Sequence, residues 1–552
     1  MNALWVTLST SVVVLFSIAS LPLLNSNGNY LTYLLNWRSS SFFNEVADLL
    51  VTNGTIYTSD ETLPFADSMA IRNGKILRVG NYSSLKELSR TWTKELNLDG
   101  KIVVPGFIDS HVHFIPGGLQ MARVEFRGVN TRDLFVDKIR KAVANAKQGC
   151  WLLGGGWNND IWGGDLPMAS WIDSITPHNP VWLTRTDGHM GLANSLALTL
   201  AGISRNNENP NGGAIVRNND GEPTGLLVDS AMKLVLSHIP EASVGERREA
   251  LLRASNYALK RGVTTVVDFG RYFPGSSPEC PWEDFSDIYK WADLSGNMIT
   301  RVCLFFPMET WSRLVPYADD PNNYGLQLVD LDSLYTTLSS DKFGLQVSIH
   351  AIGDRANDLI LDMYASLASE KQIGDRRFRI EHAQHLAPGT VARFGEQSVI
   401  ASVQPDHLLD DADSASKKLG SERAEMGSYL FKSLLTNNAQ LAFGSDWPVA
   451  DINPLKSIRT SMKRIPPGWE KAWIPSERLC LKDALKAYTI SAAHACFLDK
   501  FVGSLSPGKY ADFLVLSTNS WEEFATEVSA NVEATYVGGS KAYSMRPEDL
   551  SE

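Results

Sequence analysis

The stretch Lys101 to Pro116, KIVVPGFIDSHVHFIP, constrains the fold of this chain more than any other. An apolar run from Ile102 to Ile108, broken by Pro105 and Gly106, leads directly into Asp109-Ser110-His111-Val112-His113. On a buried strand side chains alternate faces with a period of two, so His111 and His113 project together while Val112 points away. Two imidazoles at one strand end form half of a metal site, because neutral imidazole is a good ligand for zinc and similar ions. A lone pair of this kind is ordinarily two surface histidines. Here the pair ends an apolar strand and has partners elsewhere in the chain.

Those partners sit at the ends of later apolar runs. Strand candidates follow at Thr264 to Phe269, Arg301 to Phe306, Leu345 to His350, Phe378 to His382, Val399 to Val403 and Leu441 to Asp446. Helical patterns lie between several of these runs, as at Arg132 to Lys147 and Glu246 to Arg261, and such alternation indicates a parallel α/β fold. With the first strand this makes seven, one short of a closed (β/α)8 barrel. The segment at 181–185 is either the eighth strand or part of an insertion. Barrel enzymes place their sites at the C-terminal ends of the strands, and there the chain delivers His350, His382 and Asp446 beside His111 and His113. Four imidazoles and one carboxylate suit a divalent ion, zinc first among them.

Both ends of the chain carry β patterns without a core of their own. Asn53-Gly54 and Asn73-Gly74 each lie between apolar runs and signal tight hairpins. A turn followed by a strand at Val502 to Leu516 can complete the sheet begun near residue 46. The expected organisation is a composite β-sandwich from 46–104 and 499–545, and a barrel over 105–498 with an insertion around 115–245.

Residues 1–24 form a separate feature. No charge occurs from Ala3 to Leu24, which reads as a signal peptide or an N-terminal membrane anchor, followed by a polar linker over 25–45. Ser17-Ile18-Ala19 would serve as a cleavage site, whereas the lack of Lys or Arg before the apolar run argues for retention. The sequons Asn53-Gly54-Thr55 and Asn81-Tyr82-Ser83 carry meaning only on the secretory route. The expected location is the secretory pathway or an endomembrane such as the endoplasmic reticulum or perinuclear membrane. A net charge of -11 argues against nucleic acid as a partner, and five scattered cysteines form neither a disulfide framework nor a thiolate cluster. The expected partner is a small-molecule substrate; the sequence leaves the oligomeric state open.

The segments VPGFIDSHVH, GGGWN, RTDGHMGLANSLAL, GVTTVVDFG, HAIGDRAND, RIEHAQ, FGSDWPV and SPGKYADFLVL together resemble the amidohydrolase superfamily, within it amidohydrolase family 3, the YtcJ-like group with its plant members. The resemblance implies a metal-carrying (β/α)8 barrel and a β-sandwich. It implies His111, His113, His350, His382 and Asp446 as metal ligands, with Asp446 also as the acid/base. Arg185, Asp187 and His189 fall in the motif the family places beside the substrate. His189 then hydrogen-bonds the developing oxyanion, or is a structural histidine. Trp157 forms an apolar substrate wall, or packs in a core. His385, His407 and His494 are read as supporting rather than ligating.

The chain departs from the family pattern at one place. The family carries a strand with a Lys, able when carboxylated to bridge two metals, before a Pro-Tyr-x-Asp-x-Pro segment. Here Phe306-Pro307-Met308-Glu309-Thr310-Trp311 runs almost directly into Pro316-Tyr317-Ala318-Asp319-Asp320-Pro321. A strand segment near 311–316 is expected to be missing, as in a splice variant or mis-assembled gene product. The implied activity is metal-dependent hydrolysis of a non-peptide C–N bond, of amide, cyclic amide or formamide type. The alternative is a catalytically impaired relative with a binding or signalling role, as in plant far-red light signalling. A deaminase, or a hydrolase of other bonds, fits the same ligands.

Overall fold

The computed structural model describes residues 46–185, 189–271, 277–307, 310, 326–328, 345–370 and 375–546. The N-terminal segment over 1–45, Asp187 and the 311–316 junction lie outside the described residues. Among the described residues no helix is long and apolar enough to cross a membrane.

The architecture is mixed α/β, and its centre is a series of short parallel strands. Phe107–Val112 pairs with Val263–Asp268, which pairs with Arg301–Leu304. After Phe305 the chain continues as Phe306–Pro307, and from there each strand pairs with the next: Leu326–Leu328, Val347–Ala351, Arg379–His382, Ile400–Val403 and Gln440–Phe443. A parallel bridge from Val112 to Trp447 and the hydrogen bond from Asp446 N–H to His111 O (2.8 Å) bring the last strand back beside the first. Strands such as Val263–Asp268 are buried along their whole length, as expected where both faces are covered.

The place that a count of seven strands leaves empty is taken by Leu326–Leu328. Three residues are too few to display a period of two, which is why the strand is not legible in the sequence. The segment at 181–185 is not an eighth member of the series. It belongs to a separate six-stranded sheet, ordered Gly213–Arg217, Pro223–Asp229, Met190–Ala193, Val181–Arg185, Leu152–Trp157, Val124–Glu125. Alternation divides the side chains of that sheet between two cores. Leu183, Leu192 and Leu226 pack on one face; Trp182, Ala193 and Leu227, their neighbours in sequence, pack on the other.

The chain ends meet in a further pair of sheets. Ile102–Pro105 pairs with Thr55–Tyr57 on one side and with Phe513–Leu516 on the other, so residue 103 lies beside residue 515. Val51, Met69, Ile71 and Ile76 of the four-stranded sheet share one core with Ile56, Val103, Phe513 and Tyr536 of the six-stranded sheet. Asn73-Gly74 makes the expected tight hairpin between Ser68–Arg72 and Lys75–Gly80, with φ of 50° and 75° at the two turn residues. Asn53-Gly54 does not. Leu49–Thr52 and Thr55–Tyr57 belong to different sheets, so this turn carries the chain from one layer to the other. An Asn-Gly pair supplies positive φ; whether the two strands then pair depends on which core each one faces.

Two helices lock the first strand's end in position. Phe114–Gln120 begins directly after His113 and packs against Val244–Lys260, whose start is held by a capping box between Ser243 and Glu246. The approach is close: a Cβ at Gly118 would lie 2.0 Å from the Ala250 carbonyl oxygen. Gly118→Ala should therefore destabilise the protein by about 1–3 kcal/mol through overpacking against backbone. A urea titration that shows an unshifted midpoint would contradict this.

Candidate metal centre

Strand ends deliver the donors. His111 lies in the first parallel strand and His113 immediately beyond it, His382 ends Arg379–His382, and Asp446 follows Gln440–Phe443 by three residues. One ligand atom each from His111, His382 and Asp446 lie within 4.8 Å of one another, and all three residues are buried. His113 Nε2 is 3.5 Å from Asp446 Oδ1, and His111 Nε2 is 3.4 Å from the same oxygen. The His350 ring lies 4.5 Å, centroid to centroid, from that of His382. His350 is itself exposed and stands outside the group of three.

The outer nitrogens are occupied. His111 Nδ1 meets Glu381 Oε2 at 2.7 Å, His113 Nδ1 meets the Gly270 carbonyl at 2.8 Å, and His382 Nδ1 meets Gln404 Oε1 at 2.8 Å. Each partner is an acceptor, so each Nδ1 carries a proton; burial opposes charge on His111, but Asp446 and Glu381 outweigh it and raise that imidazole. Metal-ligating histidines are held this way by the groups behind them. Asp446 Oδ1, which the imidazoles of His111 and His113 face, is buried without a hydrogen bond. A buried carboxylate oxygen with no donor in hydrogen-bond distance is costly unless a cation joins it. The donor set therefore fits a divalent metal, with His111, His382 and Asp446 converging, His113 facing the same oxygen and His350 at the rim.

Backbone geometry places two of these donors under strain. His382 and Asp446 adopt φ of 76° and 56°, which L-residues avoid, and such strain collects at functional sites. Behind Asp446, Gly444 is required by space: a Cβ there would sit 2.7 Å from the His111 backbone nitrogen.

A buried ion pair supports the site from behind. Arg379 Nε donates to Glu381 Oε1 at 2.8 Å, and both side chains are fully buried. Arg379 also donates to the Ser110 carbonyl and to Ser402 Oγ, while Ser348 Oγ donates to Glu381. Burial alone would raise the Glu381 carboxyl; Arg379 and His111 outweigh it and hold it well below the usual range. For Asp446, likewise, burial is outweighed by the surrounding imidazoles, His111 first, and its carboxyl is held below the usual range. Burial and the neighbouring His111 push His382 down to about 3, so it is neutral and available as a ligand. Burial pushes the Asp109 carboxyl up to about 7, against hydrogen bonds from Ser445.

Arg185 and His189, two of the residues expected beside the substrate, bond within the inserted sheet unit. Arg185 Nη2 pairs with Asp160 Oδ2 at 2.7 Å and its Nε donates to Asn159 Oδ1 at 3.0 Å. His189 Nδ1 meets Asp229 Oδ1 at 2.7 Å, and its side chain is 73% exposed. These contacts all lie within the inserted six-stranded unit. Of the two readings of Trp157, the structure shows core packing and corrects the substrate wall. Trp157 is 0% exposed, packs among Phe126, Phe135 and Leu183, and donates Nε1–H to the Leu183 carbonyl at 2.8 Å. It has no surface to offer a substrate, because the strand it ends turns that side into the core of the insertion.

Arg379, Glu381 and Gln404 are functional residues that sequence reasoning missed. A signal existed: in Arg379-Ile380-Glu381-His382 the two charged residues share one face of an otherwise apolar strand, and buried charges of opposite sign there must pair. His385, His407 and His494, read as supporting, divide. His385 bonds Ser428 and His494 approaches Asp499, but His407 Nε2 reaches within 3.9 Å of Asp446 Oδ2.

A model of the Amidohydrolase family matches residues 94–543. The chain is 59% identical to Protein LONG AFTER FAR-RED 3 of Arabidopsis thaliana, over 97% of each chain. That alignment runs over 576 positions, more than the 552 residues present, so it must open gaps in this chain. It is 26% identical to N-substituted formamide deformylase of Arthrobacter pascens, over 90% of this chain and 99% of that one. An uncharacterized metal-dependent hydrolase from Pyrococcus horikoshii shares the fold, with a TM-score of 0.69 at 22% identity over 88% of this chain and 99% of the other.

Proposed function

This chain belongs to the amidohydrolase family, and from that premise we propose that it is a zinc-dependent hydrolase of non-peptide C–N bonds, acting on amides, cyclic amides or formamides. The observation that carries the reading is the convergence of His111, His382 and the orphaned Asp446 carboxylate, with His113 facing the same oxygen. In this reading the parallel strands form a (β/α)8 barrel and the paired sheets from the two chain ends form a β-sandwich beside it. The formamide class is favoured by the likeness to the Arthrobacter deformylase.

Zinc, when bound, lowers the pKa of water and polarises the carbonyl that is attacked. The chain's own residues do the rest. His111, His113 and His382 offer Nε2 lone pairs fixed in orientation by Glu381, Gly270 and Gln404. Asp446 removes a proton from the attacking water and returns it to the leaving nitrogen. His189, with Arg185 and Asp187, binds the substrate; Asp229 holds the His189 ring. We place the protein in the secretory or endomembrane system, attached or directed through residues 1–24.

A second reading, a catalytically impaired relative with a binding or signalling role, is favoured by the gaps that the Arabidopsis alignment opens in this chain. We place one of them near 311–316, where the bridging-Lys segment would stand.

One experiment separates the two. The purified protein is stripped by chelation, reloaded with zinc, and assayed against a panel of N-acyl and formamide compounds. Reloading should restore hydrolysis and raise the melting temperature, since a ligand at 100 times its Kd stabilises by about 2.7 kcal/mol. A protein that takes up no divalent ion and hydrolyses none of the panel would defeat the enzyme reading and leave the second.

A further inference from the structure

His407 has no role in the reading above, yet its Nε2 is buried without a hydrogen bond. It opens the helix His407–Leu419, and the ring lies at 18° to that of His382 with centroids 6.1 Å apart. Asp446 Oδ2 lies 3.9 Å from the His407 Nε2, the opposite oxygen from the one that the imidazoles of His111 and His113 face.

This placement is rigid. Asp406, just before it, is anchored by Ser457 Oγ at 3.0 Å and Thr460 Oγ1 at 2.6 Å. The His407 backbone N–H donates to the Gln404 carbonyl, and the Gln404 side chain holds His382. One short segment therefore fixes both His382 and His407.

A separation of 3.9 Å is too long for a hydrogen bond. It leaves space for one polar atom of a ligand to touch both groups. A proton on Nε2 would be a buried donor with no acceptor in reach, which proteins avoid more strictly than a buried lone pair. His407 therefore presents an acceptor to a donor that enters the site.

We propose that His407 binds the substrate by accepting the N–H of the scissile amide, so that the site selects amides bearing a hydrogen on nitrogen over N,N-disubstituted ones. The inference rests on the hydrolase reading and names the substrate class of that same site. The water oxygen bonds to the carbonyl carbon, its proton passes through Asp446 to the nitrogen, and the C–N bond breaks. The nitrogen's own hydrogen stays in place on His407 throughout, so His407 neither gains nor loses a proton.

The test compares N-butylformamide with N-butyl-N-methylformamide on the zinc-loaded full chain. In His407→Ala the ratio of kcat/KM for the first over the second should fall about tenfold, the loss of one hydrogen bond. His407→Gln, whose amide oxygen also accepts, should recover part of the ratio, with zinc content and melting temperature unchanged in both variants. An unchanged ratio in an active His407→Ala protein overturns the proposal. A second readout needs no turnover: the nitrogen-15 resonance of His407 Nε2 in the zinc-free protein should shift with N-butylformamide and not with its N-methyl analogue. If the wild type takes up no divalent ion and hydrolyses neither these compounds nor any of the panel above, the hydrolase reading fails by itself. The nitrogen shift then decides the role of His407 alone, its presence sustaining the binding site and its absence removing it.

Discussion

Asp446→Asn is expected to remove hydrolysis while leaving the protein folded. The asparagine keeps the shape and the backbone contact to His111, but it cannot take a proton from water or pass one on. General acid–base transfer of this kind contributes about 10²–10⁴-fold. A further loss follows from the ligand set: the Asp446 carboxylate faces His111 and His113 at 3.4 Å and 3.5 Å, and an amide is a weaker partner for a cation. We expect kcat/KM on any substrate of the wild type to drop by at least about 10³-fold, with reduced zinc content after dialysis. The far-ultraviolet circular dichroism spectrum should be unchanged. Activity within tenfold of the wild type would show that proton transfer does not run through this carboxylate.

Arg379→Met is the largest stability effect expected outside the metal ligands. Arg379 and Glu381 are both fully buried, and Arg379 supplies the cation that keeps Glu381 ionised. Removing one partner of a buried pair leaves an uncompensated charge, which costs about 3–5 kcal/mol. The double variant Arg379→Met, Glu381→Gln should recover a substantial part of that loss, because the orphaned charge is gone. A denaturant titration of the two variants checks this; a single variant as stable as the wild type would contradict it. The acid limb follows the same pair. The Glu381 pKa is depressed in the folded protein, so its contribution is present in full above the ordinary glutamate value of about 4.3 and is lost as pH falls below it. In Arg379→Met this stabilisation should be missing already at neutral pH. Glu381 also holds His111, so zinc affinity should fall alongside stability.

Much of the centre was legible because strands carry their chemistry in a simple code. Apolar runs ending in His111, His113, His350, His382 and Asp446 are visible without coordinates, since period-two alternation and strand-end placement are local properties. Three of these residues form the tight donor group, and His113 faces the same carboxylate. The strand Leu326–Leu328 was not legible, being too short for a pattern. Nor was the fate of Trp157, since an aromatic residue after three glycines reads equally well as a wall or as core. Only the packing of Phe126, Phe135 and Leu183 around it decides.

By itself the sequence determined which residue types stand at strand ends, where the apolar periodicity changes, and hence the α/β class and the candidate ligands. These depend on neighbours along the chain. The tertiary structure alone decided which nitrogen of His111 and of His382 is held by a neighbour, that Arg379 and Glu381 form a fully buried pair, and that His407 faces the far oxygen of Asp446. Those outcomes depend on groups up to 270 positions apart, as His111 and Glu381 are, and on orientations of a few ångströms. Local pattern carries no information about such contacts until the strands lie side by side.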